Sequence, residues 1–125
     1  MAQQQPNPAQ QLNPEVKASL ERLMNNPGAI GYVLVNFDGI PVKTHESISE
    51  QQAVQYAALV SDLVMKTKST LRLFDDAFKH EKDLSKKFEF GEFEYLRLRT
   101  KADTELIVTD FQTPGTGYQY ILVCI

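Results

Sequence analysis

The sequence predicts an α/β domain of the α+β kind, in which a five-stranded antiparallel sheet is flanked by a short N-terminal helix and a long central helix. Three observations lead to this prediction: an amphipathic stretch behind Asn13-Pro14, a long stretch of helical periodicity from about residue 50 to 76, and strand-like runs before and after it. The element order is therefore helix, two strands, long helix, three strands. Helices packed beside one antiparallel sheet are the simplest arrangement that buries the apolar faces of elements in that order.

The first helix has clear boundaries in the sequence. Asn13 is a favoured N-cap residue, and Pro14 suits the first helical position because its missing N–H has no partner there. Apolar residues then recur at helical spacing: Val16, Leu20, Leu23 and Met24. Pro27-Gly28 ends the helix, because proline cannot continue it and glycine suits the turn.

The first two strands are predicted to form a hairpin. Residues 29–37 are apolar on both faces, which is typical of a strand covered on both sides. Asp38-Gly39 then suits a tight turn, because this pair tolerates positive φ angles. Residues 40–44 return as a shorter strand, and Pro41 marks an edge because it cannot donate to a ladder.

The long helix is predicted to begin at a capping box. Ser47 and Glu50 fit the S-x-x-E pattern, with Ser49 and Gln52 as the alternative. One apolar stripe contains Ala53, Ala57, Val60, Leu63, Val64, Leu71 and Phe74. Further apolar residues lie outside it: Val54, Ala58, Leu59 and Met65. This arc is wider than one sheet contact requires, so either the same chain or a partner covers the surplus, and in so small a domain we expect a partner.

The remaining chain predicts three strands behind an irregular segment. Residues 77–92 are mixed in charge and weakly periodic, which is consistent with an extension of the helix, a mobile loop, or both in turn. Residues 93–100 alternate cleanly, residues 105–109 follow a short turn, and residues 118–125 form the closing strand. Residues 1–12 are rich in Gln and Pro and are expected to be a disordered tail, so the domain spans 13–125.

Composition excludes several classes of protein. The chain has 125 residues, a net charge of −3 and one cysteine, so no disulfide can form within it and an intracellular location is expected. No window has the roughly 18 apolar residues of a membrane span, and no signal-peptide pattern is present. The acidic balance argues against nucleic-acid binding. Arg97, Arg99 and Lys101 line one strand face, where acidic neighbours favour a polar surface or partner contact.

No catalytic, cofactor or metal site is predicted. The candidates are His45, His80, Asp75-Asp76, Cys124, Ser61, Ser69 and the loop Gly115–Gly117. The histidines lack metal-ligand spacing, and the adjacent carboxylates favour solvated surface roles. Cys124 lies in an apolar strand without a basic neighbour, and the serines lack the G-x-S-x-G context. The loop Gly115–Gly117 is not a phosphate-binding loop, because no Gly-Lys-Ser/Thr follows it and the next element is a strand instead of a helix. The sequence therefore predicts a protein that is not an enzyme.

Four segments resemble the roadblock family of dynein light chains. They are GYVLVNFDGIPVKT (31–44), QYAALVSDLVMKTKSTLRLFD (55–75), YLRLRTKADTELIVTD (95–110) and YILVCI (120–125). The resemblance implies a symmetric homodimer in which long helices pack together and third strands pair across the two-fold axis. The matching interface positions are Ala57, Val60, Val64, Thr67 and Leu71 on the helix, with Tyr95, Leu96, Arg97, Leu98 and Arg99 on the strand.

The same resemblance implies a function in motor assembly. It implies a non-catalytic light chain that binds a segment of the dynein intermediate chain, for cargo attachment in microtubule-based transport, in the cytoplasm and cytoskeleton or in the axoneme of a cilium. The alternative is a roadblock-type scaffold or regulator of a small GTPase. Three features depart from the family pattern: the N-terminal tail, the roomy loop 111–117, and the longer segment 77–92, which by this comparison is an insert between the long helix and the third strand.

Overall fold

A computed structural model describes residues 14–86, 88–112 and 119–125, and the side chains of these residues except 111, 112 and 119–124. Two helices and five strands follow one another in the chain: α1 (Pro14–Met24), β1 (Tyr32–Val35), β2 (Pro41–Thr44), α2 (Glu50–Ala77), β3 (Tyr95–Arg99), β4 (Glu105–Gln112) and β5 (Gln119–Cys124). The α+β class predicted from the sequence is confirmed. The predicted tail 1–12 and the loop 113–118 lie outside the described residues.

The strands form one sheet in the order β2-β1-β5-β4-β3. Each neighbouring pair is antiparallel. The closing strand β5 therefore lies in the middle, between β1 and β4, while β2 and β3 are the two edges. An edge strand has hydrogen-bonding groups along one side that no strand of its own chain satisfies. The position of β3 at an edge is the feature on which the interaction surface depends.

The β1–β2 hairpin turn depends on Asn36 and Gly39. The Asn36 side-chain oxygen accepts hydrogen bonds from the backbone N–H groups of Asp38 and Ile40, both at 3.0 Å. Gly39 has a φ of 79°, a conformation that other L-residues rarely adopt. A Cβ atom at this position would also lie 3.3 Å from Ser61 Oγ on α2. The turn predicted from Asp38-Gly39 is present, and the glycine also permits close packing against the helix.

Helix α2 begins with the alternative capping box. Ser49 is the N-cap residue, and its hydroxyl accepts a hydrogen bond from the Gln52 N–H at 3.1 Å. The Gln52 side chain accepts one in return from the Ser49 N–H at 3.1 Å. Ser47 instead donates its hydroxyl to the Ile30 carbonyl oxygen at 2.8 Å. The first choice of Ser47 and Glu50 as the box is therefore wrong, because Ser47 joins the loop before α2 to the strand entry.

The main core lies between α2 and the sheet. Its fully buried members are Val33, Val35, Ala53, Ala57, Val60, Val64 and Val108. Helix α2 packs on β1, β2 and β5. Because side chains alternate along a strand, Val33 and Val35 face α2 while Tyr32 and Leu34 face the opposite side, and both of these are buried. Residues of α1, including the buried Leu20, line a cleft with Tyr32, so the two helices lie on opposite faces of the sheet.

Candidate interaction surface

Among the residues that the structure describes, strand β3 pairs only with β4 and its other side is open. Leu96 packs against the core beneath α2 and lies opposite Val108 in the ladder. By alternation, Leu98 shares that face, while Tyr95, Arg97 and Arg99 project from the face away from α2. Tyr95 is 61% exposed and Leu98 is 44% exposed. The strand therefore offers an aromatic and apolar edge that no described part of the chain covers.

The charged side chains of β3 are held by acidic residues of their own hairpin. The Arg97 guanidinium donates to Glu105 on β4 through Nε (3.1 Å) and through one terminal nitrogen (2.9 and 2.8 Å). Arg99 contacts Asp103 at 3.2 Å. The hydrogen bonds from Arg97 hold the pKa of the Glu105 carboxyl below its usual value, and the same bonds raise the pKa of the guanidinium.

The helix residues predicted to contact a partner lie in different environments. Ala57, Val60 and Val64 are buried in the core of their own chain, where they contact the sheet, so their side chains are unavailable to a second chain. Thr67 is part-buried, and its hydroxyl donates to the Leu63 carbonyl oxygen at 2.8 Å. The apolar stripe read from the sequence therefore corresponds to the core-facing side of the helix.

The surplus apolar residues of α2 point to solvent. Leu59, Met65 and Leu73 are each 68% exposed. Val54 is exposed as well, and so is Phe74, which belongs to the stripe read from the sequence but lies beyond the core near the end of the helix. Exposed apolar side chains on one element mark interaction surfaces when they are grouped, whereas isolated ones need no explanation. We call the residues Val54, Leu59, Met65 and Leu73 the outer row of α2.

Four phenylalanines attach the segment after α2 to the end of the helix. The ring centroids of Phe74 and Phe90 lie 5.1 Å apart, those of Phe88 and Phe90 4.8 Å, and those of Phe78 and Phe88 6.5 Å. The Asp75 carboxylate also accepts a hydrogen bond from the Phe90 N–H at 2.6 Å. The helix ends at Ala77 with Phe78 as its C-cap. The segment interpreted as an insert thus returns along the helix before β3 begins.

A second concave feature lies between α1 and the β1–β2 hairpin. This cleft of about 410 Å³ is lined by Lys17, Leu20, Glu21, Met24, Asn25, Tyr32, Lys43 and His45. Burial, and to a smaller extent the Glu21 carboxylate, raises the pKa of the Tyr32 phenol. The Tyr32 and His45 rings lie 5.6 Å apart. No arrangement of nucleophile and general base occurs among these lining residues.

The other candidates from the sequence do not assemble. His45 Nδ1 lies 2.7 Å from Ser47 Oγ, while His80 is exposed more than thirty positions further along the chain. Ser61 Oγ is buried without a hydrogen-bond partner. The Cys124 side chain and Gly115–Gly117 lie outside what the structure describes. Among the described residues, no three His, Cys, Asp or Glu side chains could hold a metal ion, and no helix is long and apolar enough to cross a membrane.

Among the described residues, the structure therefore combines a small α+β domain with an edge strand that pairs on one side and with exposed apolar residues on its long helix. The Roadblock/LC7 domain model matches residues 15–82, which is more than half of the chain. The protein therefore belongs to the Roadblock/LC7 family. Domains of this family generally form dimers or bind partner proteins.

A solved structure agrees with this assignment at the level of the fold. The crystal structure of a Roadblock/LC7 domain from Streptomyces avermitilis superposes with a TM-score of 0.57 and 21% sequence identity. The match covers 86% of this chain and 72% of that one.

Proposed function

We propose that the protein is a non-catalytic light chain of a dynein motor complex. In this proposal it acts as a homodimer that binds a segment of the dynein intermediate chain and thereby supports motor assembly and cargo attachment. It works on microtubules, either in the cytoplasm or in an axoneme. The proposal rests on membership of the Roadblock/LC7 family together with the similarity of residues 31–44, 55–75 and 95–110 to dynein light chains.

The observation that carries the homodimer is the combination of an open β3 edge with the outer row of α2. Tyr95, Leu96, Arg97, Leu98 and Arg99 form the edge. On the helix, we place the contact with the second copy at the exposed outer row instead of at Ala57, Val60 and Val64, which are buried. Thr67 and Leu71, which are partly buried, lie on the same side of α2 as Val60 and Val64. A self-complementary surface of this kind suits a two-fold dimer, and a stable one typically buries about 1,200–2,000 Å².

The mechanism is binding without turnover. A flexible segment of the intermediate chain loses conformational entropy when it orders on the dimer. Two protomers held together offer two neighbouring sites, so a second contact of the same segment occurs at high effective concentration. Affinity then depends on the dimer being formed first, and no cofactor takes part.

Sedimentation tests the dimer. Met65→Asp places a carboxylate in the outer row, and the cost of burying an unpaired charge should weaken self-association by at least about a hundredfold. Ala18→Asp makes the same charge change at an exposed position of α1, on the opposite face of the sheet, and serves as the matched control. Equal dimer dissociation constants for both variants would mean that α2 is not part of the dimer interface.

Calorimetry with peptides that tile a dynein intermediate chain tests the partner. We expect one peptide to bind the wild-type protein and to bind Met65→Asp only weakly. The alternative function, a scaffold for a small GTPase, predicts no peptide binding and instead a complex with a GTPase that depends on the bound nucleotide. That second result would overturn the dynein assignment while leaving the dimer intact.

A further inference from the structure

The cleft between α1 and the β1–β2 hairpin has an apolar floor. Leu20, which is 4% exposed, and Tyr32, which is 7% exposed, form this floor together with the part-buried Met24. The cleft volume of about 410 Å³ lies within the range of small-molecule sites, which extends from about 300 to 1,000 Å³. The cleft therefore has the size and the lining of a ligand site, and the polar groups around it decide which ligand it takes.

The Tyr32 hydroxyl is a polar group at this floor. No residue in the described part of the chain forms a hydrogen bond with it, and its oxygen is not sealed from solvent, so the hydroxyl opens into the cleft. Burial raises the pKa of the phenol, which keeps the proton on the oxygen at neutral pH. Since side chains this deeply buried normally have hydrogen-bond partners, the hydroxyl is a donor for which a ligand oxygen would be the partner.

The rim of the cleft carries more positive than negative charge. Lys17 on α1 and Lys43 on β2 each contribute an ammonium group, from the two elements that bound the cleft. Neither lysine forms an ion pair with another described residue. Glu21 opposes them with one carboxylate, and its charge acts on the Tyr32 phenol. Two cations against one anion make the rim attractive to a negatively charged group.

The cleft stays accessible in the proposed homodimer. Helices α1 and α2 lie on opposite faces of the sheet, so a second copy on the outer row of α2 does not reach the cleft. Strand β2, which supplies Lys43, is also the edge furthest from β3. A ligand site in the cleft is therefore independent of the proposed function and goes beyond it.

We propose that this cleft binds a small organic carboxylate, with its apolar group on the floor and its carboxylate at Lys17, Lys43 and the Tyr32 hydroxyl. The apolar group displaces water from Leu20 and Met24, which favours binding through the hydrophobic effect. The carboxylate accepts charge-assisted hydrogen bonds from the ammonium groups and a further hydrogen bond from the hydroxyl. A neutral analogue of the same shape lacks the second contribution, so the site distinguishes the two.

Titration followed by nuclear magnetic resonance tests the place and the ligand class. Hexanoate should shift the backbone amide signals of Leu20, Tyr32 and Lys43 with a dissociation constant on the order of 1 mM, and it should leave those of Leu59 and Leu98 unchanged. Hexanamide has the same shape without the charge and should bind at least about fivefold more weakly. Equal binding of hexanamide, tighter binding of the cation hexylamine, or no saturable shift at the cleft would overturn the proposal.

Substitutions at the rim test the role of charge. Lys43→Gln should weaken hexanoate binding about fivefold, and the effect should shrink in concentrated salt, which screens charges. Lys101→Gln makes the same charge change in the turn between β3 and β4 and should alter the dissociation constant less than about 1.5-fold. Glu21→Gln removes the opposing charge and should tighten binding about threefold. Equal constants for the two lysine variants, or weaker binding by Glu21→Gln, would contradict a carboxylate at this rim.

Two further variants test the hydroxyl and the independence from the dimer. Tyr32→Phe should weaken hexanoate binding about threefold while the melting temperature changes by less than about 2 °C, because the protein loses no internal hydrogen bond. An unchanged affinity of Tyr32→Phe would overturn the contact with the hydroxyl. Met65→Asp, the variant of the outer row, should bind hexanoate as the wild type does. Loss of hexanoate binding by a folded Met65→Asp variant would instead place the ligand at the α2 surface and overturn the cleft site.

Discussion

The Lys68 ammonium of α2 forms an ion pair with the Asp110 carboxylate of β4. The Asp110 side chain is only 7% exposed, whereas Lys68 is about a third exposed. This contact joins the long helix to β4, the strand next to the β3 edge. Strand β4 lies beyond the strands β1, β2 and β5 on which α2 mainly packs. It therefore helps to fix the angle at which α2 crosses the sheet.

Lys68→Met should lower the free energy of unfolding by about 1–3 kcal/mol, because the buried Asp110 carboxylate loses a charged partner. Urea denaturation monitored by circular dichroism measures the change. Lys66→Met is the matched control on the same helix, since it breaks an ion pair with Asp62 that is exposed on both sides. The control should cost less than about 0.5 kcal/mol. Equal losses would mean that Lys68 contributes through its aliphatic chain alone.

Gly39→Ala should destabilise the protein by more than about 1 kcal/mol, because alanine is strained at positive φ and its Cβ would crowd Ser61. Gly91 has a similar φ of 77° but open space around it, so Gly91→Ala reports the backbone strain alone. Gly28→Ala, with neither feature, should be neutral. Thermal melts of the three variants should rank Gly39, Gly91 and Gly28 in decreasing cost. If Gly39→Ala and Gly91→Ala lowered the melting temperature equally, the Ser61 side chain would move away from the new methyl group without a loss of stability.

Phe90→Ala should loosen the segment between α2 and β3. The ring contacts both Phe74 and Phe88, and aromatic pairs contribute about 0.5–1.5 kcal/mol each beyond burial. Limited trypsin digestion should cut faster after Lys79, Lys82 and Lys86, as mass spectrometry of the fragments would show. Leu84→Ala is the control in the same segment, because Leu84 is almost fully exposed. Unchanged cleavage in Phe90→Ala would mean that the phenylalanines do not hold the segment.

The Arg97–Glu105 contact predicts a pH dependence. The pKa of Glu105 is lowered in the folded protein, so its contribution to stability is present above the ordinary glutamate value of about 4.3 and is lost as pH falls through the folded-state value. The difference in melting temperature between wild type and Glu105→Gln should therefore be constant near neutrality and vanish in acid. In an Arg97→Gln background, which lacks the main cause of the lowered pKa, adding Glu105→Gln should give a difference that depends much less on pH. A difference that persisted below both pKa values would point to packing instead of charge.

Much of the fold could be predicted because local signals are strong. Pro14, Asp38-Gly39 and the alternation of residues 95–99 each specify a boundary, a turn or a strand without reference to distant residues. The neighbours of α2 could not be predicted in the same way. Periodicity shows that Ala57, Val60 and Val64 share a face, but it does not show whether that face meets the chain's own sheet or a partner.

Long-range contacts account for the other differences. Ser47 and Ser49 both fit a cap by spacing, and the choice depends on the hydrogen bond from Ser47 to Ile30, which is 17 positions away. The phenylalanine contacts across residues 74–90 arise from a chain reversal that a weakly periodic segment does not specify. For the interaction surface, helical periodicity already placed Val54, Leu59 and Met65 outside the core-facing stripe, whereas the position of β3 at a sheet edge required the topology.

The two edges of the sheet are chemically unequal, and this difference limits growth. Strand β2, at the far edge, begins with Pro41, which has no N–H to offer an incoming strand. Strand β3 carries arginine at alternate positions, and charged edge strands discourage pairing with unrelated extended chains. Once two copies have joined through β3, each outer end of the combined sheet is a proline-bearing β2. Strand addition then stops at the dimer, so the sheet does not extend into a fibre. The β3 edge remains available only for pairing with a second copy of the chain.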